Sequence, residues 1–377
     1  MDINKILTEL KNQIAEKNIN FLIGSGASIP YFPSLGNIEK VLSEKVDDNS
    51  SIRKLIYLHY FNKVVDKNIE LLDETYQCEF AITPKYRVFI NRLCNIMNAR
   101  NSRISPKRAN IFTTNYDVFF EKAIDLELKD NPSFIFNDGG SGYFTRNLNS
   151  ENFHKTVSKN GVFDNYQKEL STINLIKCHG SVTWDKLIED NEEKIEIKMR
   201  LSLLEKVRDA ASNLTLTKKD QEIISDYLNL SDSEDVESNM MEIAERNKES
   251  LERFFNEYKK LMIVNPEKSK FKNTVLDEYY YSMLRLLSYE LEKDQTILIV
   301  FGFSFADEHI RNLIKRSLHN PYLRVYIFVY KQGDASIIEK LLSSAQNNNV
   351  VIIEPSKDMP PIDFMEFNEL LFGSVVK

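Results

Sequence analysis

Four short apolar runs in this chain stop abruptly at a glycine or a knot of polar residues. Residues 20–23 run into Gly24-Ser25-Gly26-Ala27-Ser28, and residues 109–112 into Thr113-Thr114-Asn115-Tyr116-Asp117. Residues 173–177 run into Cys178-His179-Gly180-Ser181, and residues 296–301 into Gly302-Phe303-Ser304. Runs this short and this apolar predict strands buried on both faces, as in a parallel sheet. Residues 323–330 and 350–353 predict two more strands, and helical spacing separates the runs at both ends of the chain. Strands alternating with helices predict an α/β fold with helices on both faces of the sheet. In such a sheet ligands bind beyond the carboxyl ends of the strands, and all four polar signatures sit at those ends.

Between the strands lie two stretches of another kind. Residues 37–105 are helical in pattern and hold no glycine. Residues 186–260 are dense in Lys, Glu, Asp and Asn, hold neither Gly nor Pro, and carry apolar residues at helical spacing. Both read as helical insertions, the second strongly charged, in a single domain spanning residues 1–377. Residues 131–165 are rich in Asn, Ser and Gly and read as loop.

Composition removes several function classes. Hydrophobic residues make up 42% and charged residues 28% of the 377, as in soluble globular proteins. The formal charge of −7 disfavours a surface built to grip nucleic acid, so no direct nucleic-acid binding is expected. The amphipathic start at residues 3–17 has no apolar signal segment, and no apolar run approaches the roughly 18 residues of a membrane span. The three cysteines, Cys78, Cys94 and Cys178, are far apart and form no CxxC pair. They cannot make a four-cysteine zinc site, so no metal is expected, and a reduced, cytoplasmic protein is the natural reading.

Each signature offers chemistry. Glycines at 24 and 26 let the backbone turn tightly and approach a pyrophosphate, whose oxygens exposed N–H groups can bind. A plain strand-to-helix turn needs the same residues. The usual dinucleotide fingerprint is absent: Ile29 stands where its third glycine belongs, and Glu44, near the expected acidic position, falls in a helical pattern. No GxxxxGK[ST] loop occurs. Asn115 offers both donors and acceptors to a ribose hydroxyl, a carboxamide or a water, while Asp117 suits a helix cap. Of the five histidines (His59, His154, His179, His309 and His319), only His179 sits at a strand's carboxyl end among small residues, which suits acid–base work. Cys178 beside it reads as packing. Asp307 reads as the cap of a following helix, and Gly302 and Ser304 as neighbours of a nucleotide. Four of the eleven glycines, Gly24, Gly26, Gly180 and Gly302, fall in these segments.

Together the segments resemble the SIR2 family. GSGAS at 24–28 is similar to its GAGxS loop, TTNYD at 113–117 to its TQN-I/Y-D motif, and CHGS at 178–181 to its catalytic HG segment. GFSFADEHI at 302–310 is similar to the late GxS motif of bacterial SIR2-like defence proteins, where Ile263-Val264-Asn265-Pro266 also finds a match. The resemblance covers roughly residues 18–330. It implies a Rossmann-like NAD-binding domain with NAD⁺ as substrate. Gly24, Ser25, Gly26, Ala27 and Ser28 would cradle the pyrophosphate, with Thr113 in the same cofactor-binding set. Asn115 would orient the ribose or an attacking water, and Asp117 would help hold the nicotinamide carboxamide. His179 would be the acid–base residue at the nicotinamide ribose. Gly302 and Ser304 would lie near the adenosine.

Two departures bear on the reaction. Sirtuin deacetylases carry a four-cysteine zinc ribbon that this chain cannot build. They also carry a GIPDFR segment, where this chain has Ile29-Pro30-Tyr31-Phe32-Pro33-Ser34-Leu35, with no arginine and with either Pro30 or Pro33 matching the family proline. Both favour an NAD⁺ glycohydrolase of an anti-phage system over a protein deacylase. A non-catalytic module that senses NAD⁺ or ADP-ribose is the third reading. Unchecked NAD⁺ loss would kill the host, so gating is expected, by homo-oligomerisation and a second protein. Chains of this size resemble those paired with a HerA-type hexameric ATPase, with residues 186–260 or the N-terminal helix as the docking surface.

Overall fold

Seven strands form the central sheet: β1 Asn18–Ile23, β2 Arg108–Thr113, β3 Phe134–Asn137, β4 Ser171–Lys177, β5 Thr296–Phe301, β6 Leu323–Phe328 and β7 Val350–Ile353. Their order is β7-β6-β5-β1-β2-β4-β3, and every pairing is parallel. The computed structural model describes all residues except 1–2, 34–35, 48–49, 73–81, 102–105, 162, 164–165, 190, 230–233, 267–273, 343–348, 358 and 374–377. Cys78 therefore lies outside the described residues.

The strands are buried on both faces because alternate residues enter two separate cores. Phe21, Ile23, Ile111, Ile299 and Phe301 pack on one side, against helices Ile3–Glu16, Ile82–Ala99, Phe119–Asp130 and Phe364–Phe372. Leu22, Phe112, Ile176, Leu298 and Val300 pack on the other, against helices Thr274–Glu292, Glu308–Ser317 and Ala335–Leu342. This is the α/β arrangement expected from the apolar runs, and the Rossmann-like form that the family resemblance implies.

Register has a polar determinant that crosses four strands. Asn110 Nδ2 donates to Asn20 Oδ1 at 2.8 Å, Asn174 Nδ2 to Asn110 Oδ1 at 2.8 Å, and Asn137 Nδ2 to Asn174 Oδ1 at 3.0 Å. The three pairs are also register partners in the sheet. A slip of one residue would strand these amides in an apolar core, so the ladder ties β1, β2, β4 and β3 to one alignment.

Two stretches differ from their sequence reading. Residues 131–165 contain β3, which pairs with β4. Its Phe-Ile-Phe-Asn core is too short to stand out among Asn, Ser and Gly. Residues 186–260 do not begin as helix: Trp184–Glu189 and Glu192–Ile197 form an antiparallel hairpin, and helix starts only at Ser202. The Glu/Lys density there mimics a solvated helix face, yet the same charges pair across strands, as Lys186 does with Glu193. Helices Ser202–Ser212, Lys218–Leu228, Glu234–Arg246 and Lys248–Tyr258 follow. The last packs on residues 51–65, where Phe61 meets Phe254 at 5.7 Å and Tyr57 meets Tyr258 at 5.2 Å between ring centroids. Among the described residues no helix is long and apolar enough to cross a membrane.

The chain builds the sheet outward in both directions from β1. After β1 it moves to β2, β3 and β4 on one side, then returns to β5, β6 and β7 on the other. The loops after β1 and β5 therefore diverge at a switch point, where a doubly wound sheet opens a crevice.

Candidate active site

The loops after β1 and β5 touch through their backbones. Gly24 N donates to Phe301 O at 3.0 Å, Gly26 N to Gly302 O at 2.9 Å, and Ala27 N to Gly24 O at 3.1 Å. A Cβ on Gly24 would lie 2.4 Å from the Gly302 carbonyl oxygen, and Gly302 itself has φ +66° with room for no side chain. Close packing of two loops is thus what these glycines permit. In this arrangement the amides of Gly24, Gly26 and Ala27 donate to protein carbonyls.

Behind this wall lies a buried polar chain. Thr113 Oγ1 donates to Ile23 O at 2.9 Å and accepts from Asn115 N at 3.0 Å, so Thr113 braces the turn. Asn115 Nδ2 donates to Gly24 O and to Ser28 Oγ, both at 3.2 Å. A carbonyl oxygen can only accept, which fixes the amide's orientation and leaves Oδ1 as its remaining polar atom. Ser28 in turn donates to Asp117 Oδ2 at 2.9 Å and meets the Tyr86 hydroxyl at 3.0 Å. Burial pushes the Tyr86 hydroxyl well above its usual range, so it stays protonated and donates to Ser28.

Asp117 Oδ1 accepts from Phe119 N at 3.2 Å, a turn contact just ahead of helix Phe119–Asp130, whose cap position is Val118 and not the expected Asp117. Burial raises its carboxyl above the ordinary value, while the nearby Lys177 ammonium and the Ser28 hydrogen bond pull the other way. Lys177, the last residue of β4, is buried; it pairs with Glu121 at 2.7 Å and donates to the Asp117 carbonyl. Nothing but its position ending an apolar strand could have flagged this lysine in the sequence.

His179 sits at the turn after β4. Its carbonyl accepts from Val264 N at 2.9 Å, and Ser181 N donates to Met262 O at 3.0 Å. Gly180 lies between with φ +82°, and a Cβ there would fall 2.0 Å from the Met262 carbonyl oxygen. Gly180→Ala is therefore expected to destabilise the protein by about 1–3 kcal/mol. Urea unfolding would check it, and an unchanged midpoint would contradict the contact. The His179 ring extends toward the loop after β5, where Nε2 lies 3.1 Å from Asp307 Oδ2. Cys178 is fully buried and burial pushes its thiol up to about 12, which makes it a packing residue and not a nucleophile.

These loops enclose a cavity of about 230 Å³. Of the residues singled out in the sequence, Ser25, Ser28, Asn115, Asp117, His179, Gly302 and Ser304 line it. Gly24, Gly26, Ala27 and Thr113 are not among the residues that line it. Sequence reasoning missed four contributors. Asp307 lines the cavity beside its cap role, and Tyr280 donates to it at 3.4 Å. Glu39 and Tyr60 enter from the helices of residues 37–105. Phe32, Val64, Val264 and Phe303 give the wall apolar stretches, and Thr114, Tyr116 and Asn265 add polar ones. Among the described residues no group of three or more His, Cys, Asp or Glu gathers as for a metal.

Fold and site together define a Rossmann-like α/β protein with a histidine–carboxylate pair and an oriented amide at the switch point of its sheet. Residues 109–353 match the family model of a SIR2-like domain, well over half of the chain. The chain belongs to the SIR2-like family, whose members are NAD-dependent enzymes, deacylases and NAD⁺ hydrolases among them. The glycine loop precedes the matched span yet is locked to it, because β1 lies between β2 and β5. No curated protein matches the chain.

Proposed function

We propose that this protein is an NAD⁺ glycohydrolase, cleaving NAD⁺ with water to ADP-ribose and nicotinamide. The observation that carries this reading is the meeting of Asn115 and the His179–Asp307 pair in one largely apolar cavity. The nicotinamide–ribose bond breaks through an oxocarbenium-like state, which is served by a fixed dipole, a placed nucleophile and the exclusion of bulk water. In this reading Asn115 Oδ1 accepts a hydrogen bond from the attacking water or a ribose hydroxyl. The water oxygen bonds to the ribose carbon as nicotinamide leaves with the electron pair, and His179 takes the water's proton. The loop of residues 24–28 would face the pyrophosphate, with the Ser25 hydroxyl as its group for the phosphate oxygens and Gly302 and Ser304 on the adenosine side.

Hydrolysis is favoured over deacylation because the chain's three cysteines cannot supply a four-cysteine zinc ribbon. The likeness of residues 302–310 to defence proteins extends the proposal to anti-phage NAD⁺ depletion. Control would then come from homo-oligomerisation and a HerA-type ATPase partner.

The test is product analysis of NAD⁺ incubated with the purified chain, alone and with a candidate ATPase, with and without an acyl-lysine peptide. ADP-ribose and nicotinamide formed regardless of peptide are the expected products, and release only on adding the ATPase would support gating. O-acetyl-ADP-ribose formed only with peptide would make the protein a deacylase. Tight binding without turnover in every mixture would make it a sensor module.

A further inference from the structure

Asp307 is held by contacts on both of its oxygens. Oδ1 accepts from Ile310 N at 3.0 Å, capping helix Glu308–Ser317, while Oδ2 faces His179 Nε2 at 3.1 Å. The Tyr280 hydroxyl donates to the same Oδ2 at 3.4 Å, and its ring stands 5.8 Å from the His179 ring. The residue two places earlier, Phe305, is fully buried at φ +59°, a left-handed conformation that only tight packing retains in a bulky residue. The loop is thus built to hold the carboxylate in one orientation. Rotating it toward another ligand would break the helix cap.

An ionised carboxylate only accepts, so Oδ2 requires a donor at Nε2. We propose that Asp307, steadied by Tyr280, is a positioning residue that holds His179 as the Nε2–H tautomer and leaves Nδ1 as its basic nitrogen. His179 Nδ1 has no hydrogen-bond partner among the described residues, which leaves it available to take a proton. Among the described residues Asp307 and Tyr280 meet the ring, Cys178 precedes it on its own turn, and Asp117, Glu39, Tyr60 and Tyr116 line the same cavity. Burial raises both the Tyr280 hydroxyl and the Cys178 thiol, so both are neutral near pH 7. The inference rests on the reading of His179 as the acid–base group, but the tautomer itself can be observed without turnover.

Asp307→Asn separates this role from capping. An asparagine caps a helix as well as an aspartate does. To do so its oxygen must face Ile310 N, which turns its NH₂ toward His179 Nε2. That nitrogen must then accept, and the ring proton moves to Nδ1. Nitrogen NMR of the unliganded protein should show His179 protonated at Nε2 in the wild type and at Nδ1 in Asp307→Asn, with equal melting temperatures. In the NAD⁺ assay kcat should fall by roughly 10³-fold or more at nearly constant KM, as for a base held in the wrong tautomer. Asp307→Ser keeps the cap without reversing the hydrogen bond, so it should fall less. An unchanged tautomer in Asp307→Asn, or a kcat within about threefold of wild type, would overturn the proposal. Absence of NAD⁺ cleavage by the wild type in every condition would sink the hydrolase reading alone, because the NMR result would still decide the tautomer.

Discussion

Nicotinamide release from NAD⁺ should drop by roughly 10²–10⁴-fold when His179 becomes alanine, the range for losing a general acid–base group. The variant keeps the Gly180 turn, whose hydrogen bonds to Met262 and Val264 use only backbone. Its folding should therefore be unaffected, and the loss should appear in kcat. Asn115→Ala should lose about 10²–10³-fold, the effect of removing one oriented polar group at a developing charge. It should also cost stability, since Ser28 Oγ and the Gly24 carbonyl both lose a donor. Steady-state kinetics and thermal melts on both variants test this directly. Retention of a tenth or more of wild-type activity by His179→Ala would remove the histidine from the chemistry.

Lys177→Met should produce the largest loss of stability of any single substitution considered, about 3–5 kcal/mol at neutral pH, as for breaking a buried ion pair from one side. Methionine fills the space but leaves Glu121 and Asp117 without their cation. Burial already raises both carboxyls in the folded protein, and Lys177 is the leading influence that lowers them. A carboxyl whose folded pKa exceeds its unfolded one binds more protons when folded. Stability then falls as pH climbs from the unfolded value through the folded one. Removing Lys177 extends that window upward. The deficit of Lys177→Met should be greatest near pH 7.5 and shrink toward pH 5. Urea unfolding across this range checks the slope, and a deficit independent of pH would show that the two carboxylates do not depend on this lysine.

The strand ends were legible because a strand of a doubly covered sheet is apolar throughout and its loop is not. That contrast marked Asn115 and His179, and the fold brings both to one cavity. What stayed hidden depends on distance in the chain. The His179–Asp307 contact joins residues 128 apart and reaches across the ends of β1 and β2. No local pattern encodes it, and Asp307 already had a sufficient local explanation as a cap. The glycine loop is ambiguous for another reason: GSG suits phosphate binding and close backbone packing alike, and its local pattern is the same for both. The hairpin at 184–197 was hidden by charges that serve strand and helix surfaces alike.

The strand order also sets when a working pocket can exist during synthesis. β1 leaves the ribosome first, yet its two neighbours are made far later, β2 at Arg108–Thr113 and β5 at Thr296–Phe301. Until β5 arrives, the Gly24 loop lacks the backbone it packs against, and His179 lacks Asp307. A growing chain, or one broken off before the Gly302 loop, holds separate parts of the site and no site. Any NAD⁺-consuming activity would begin only once synthesis has passed β5 and the Gly302 loop, a delay written into the order of strands.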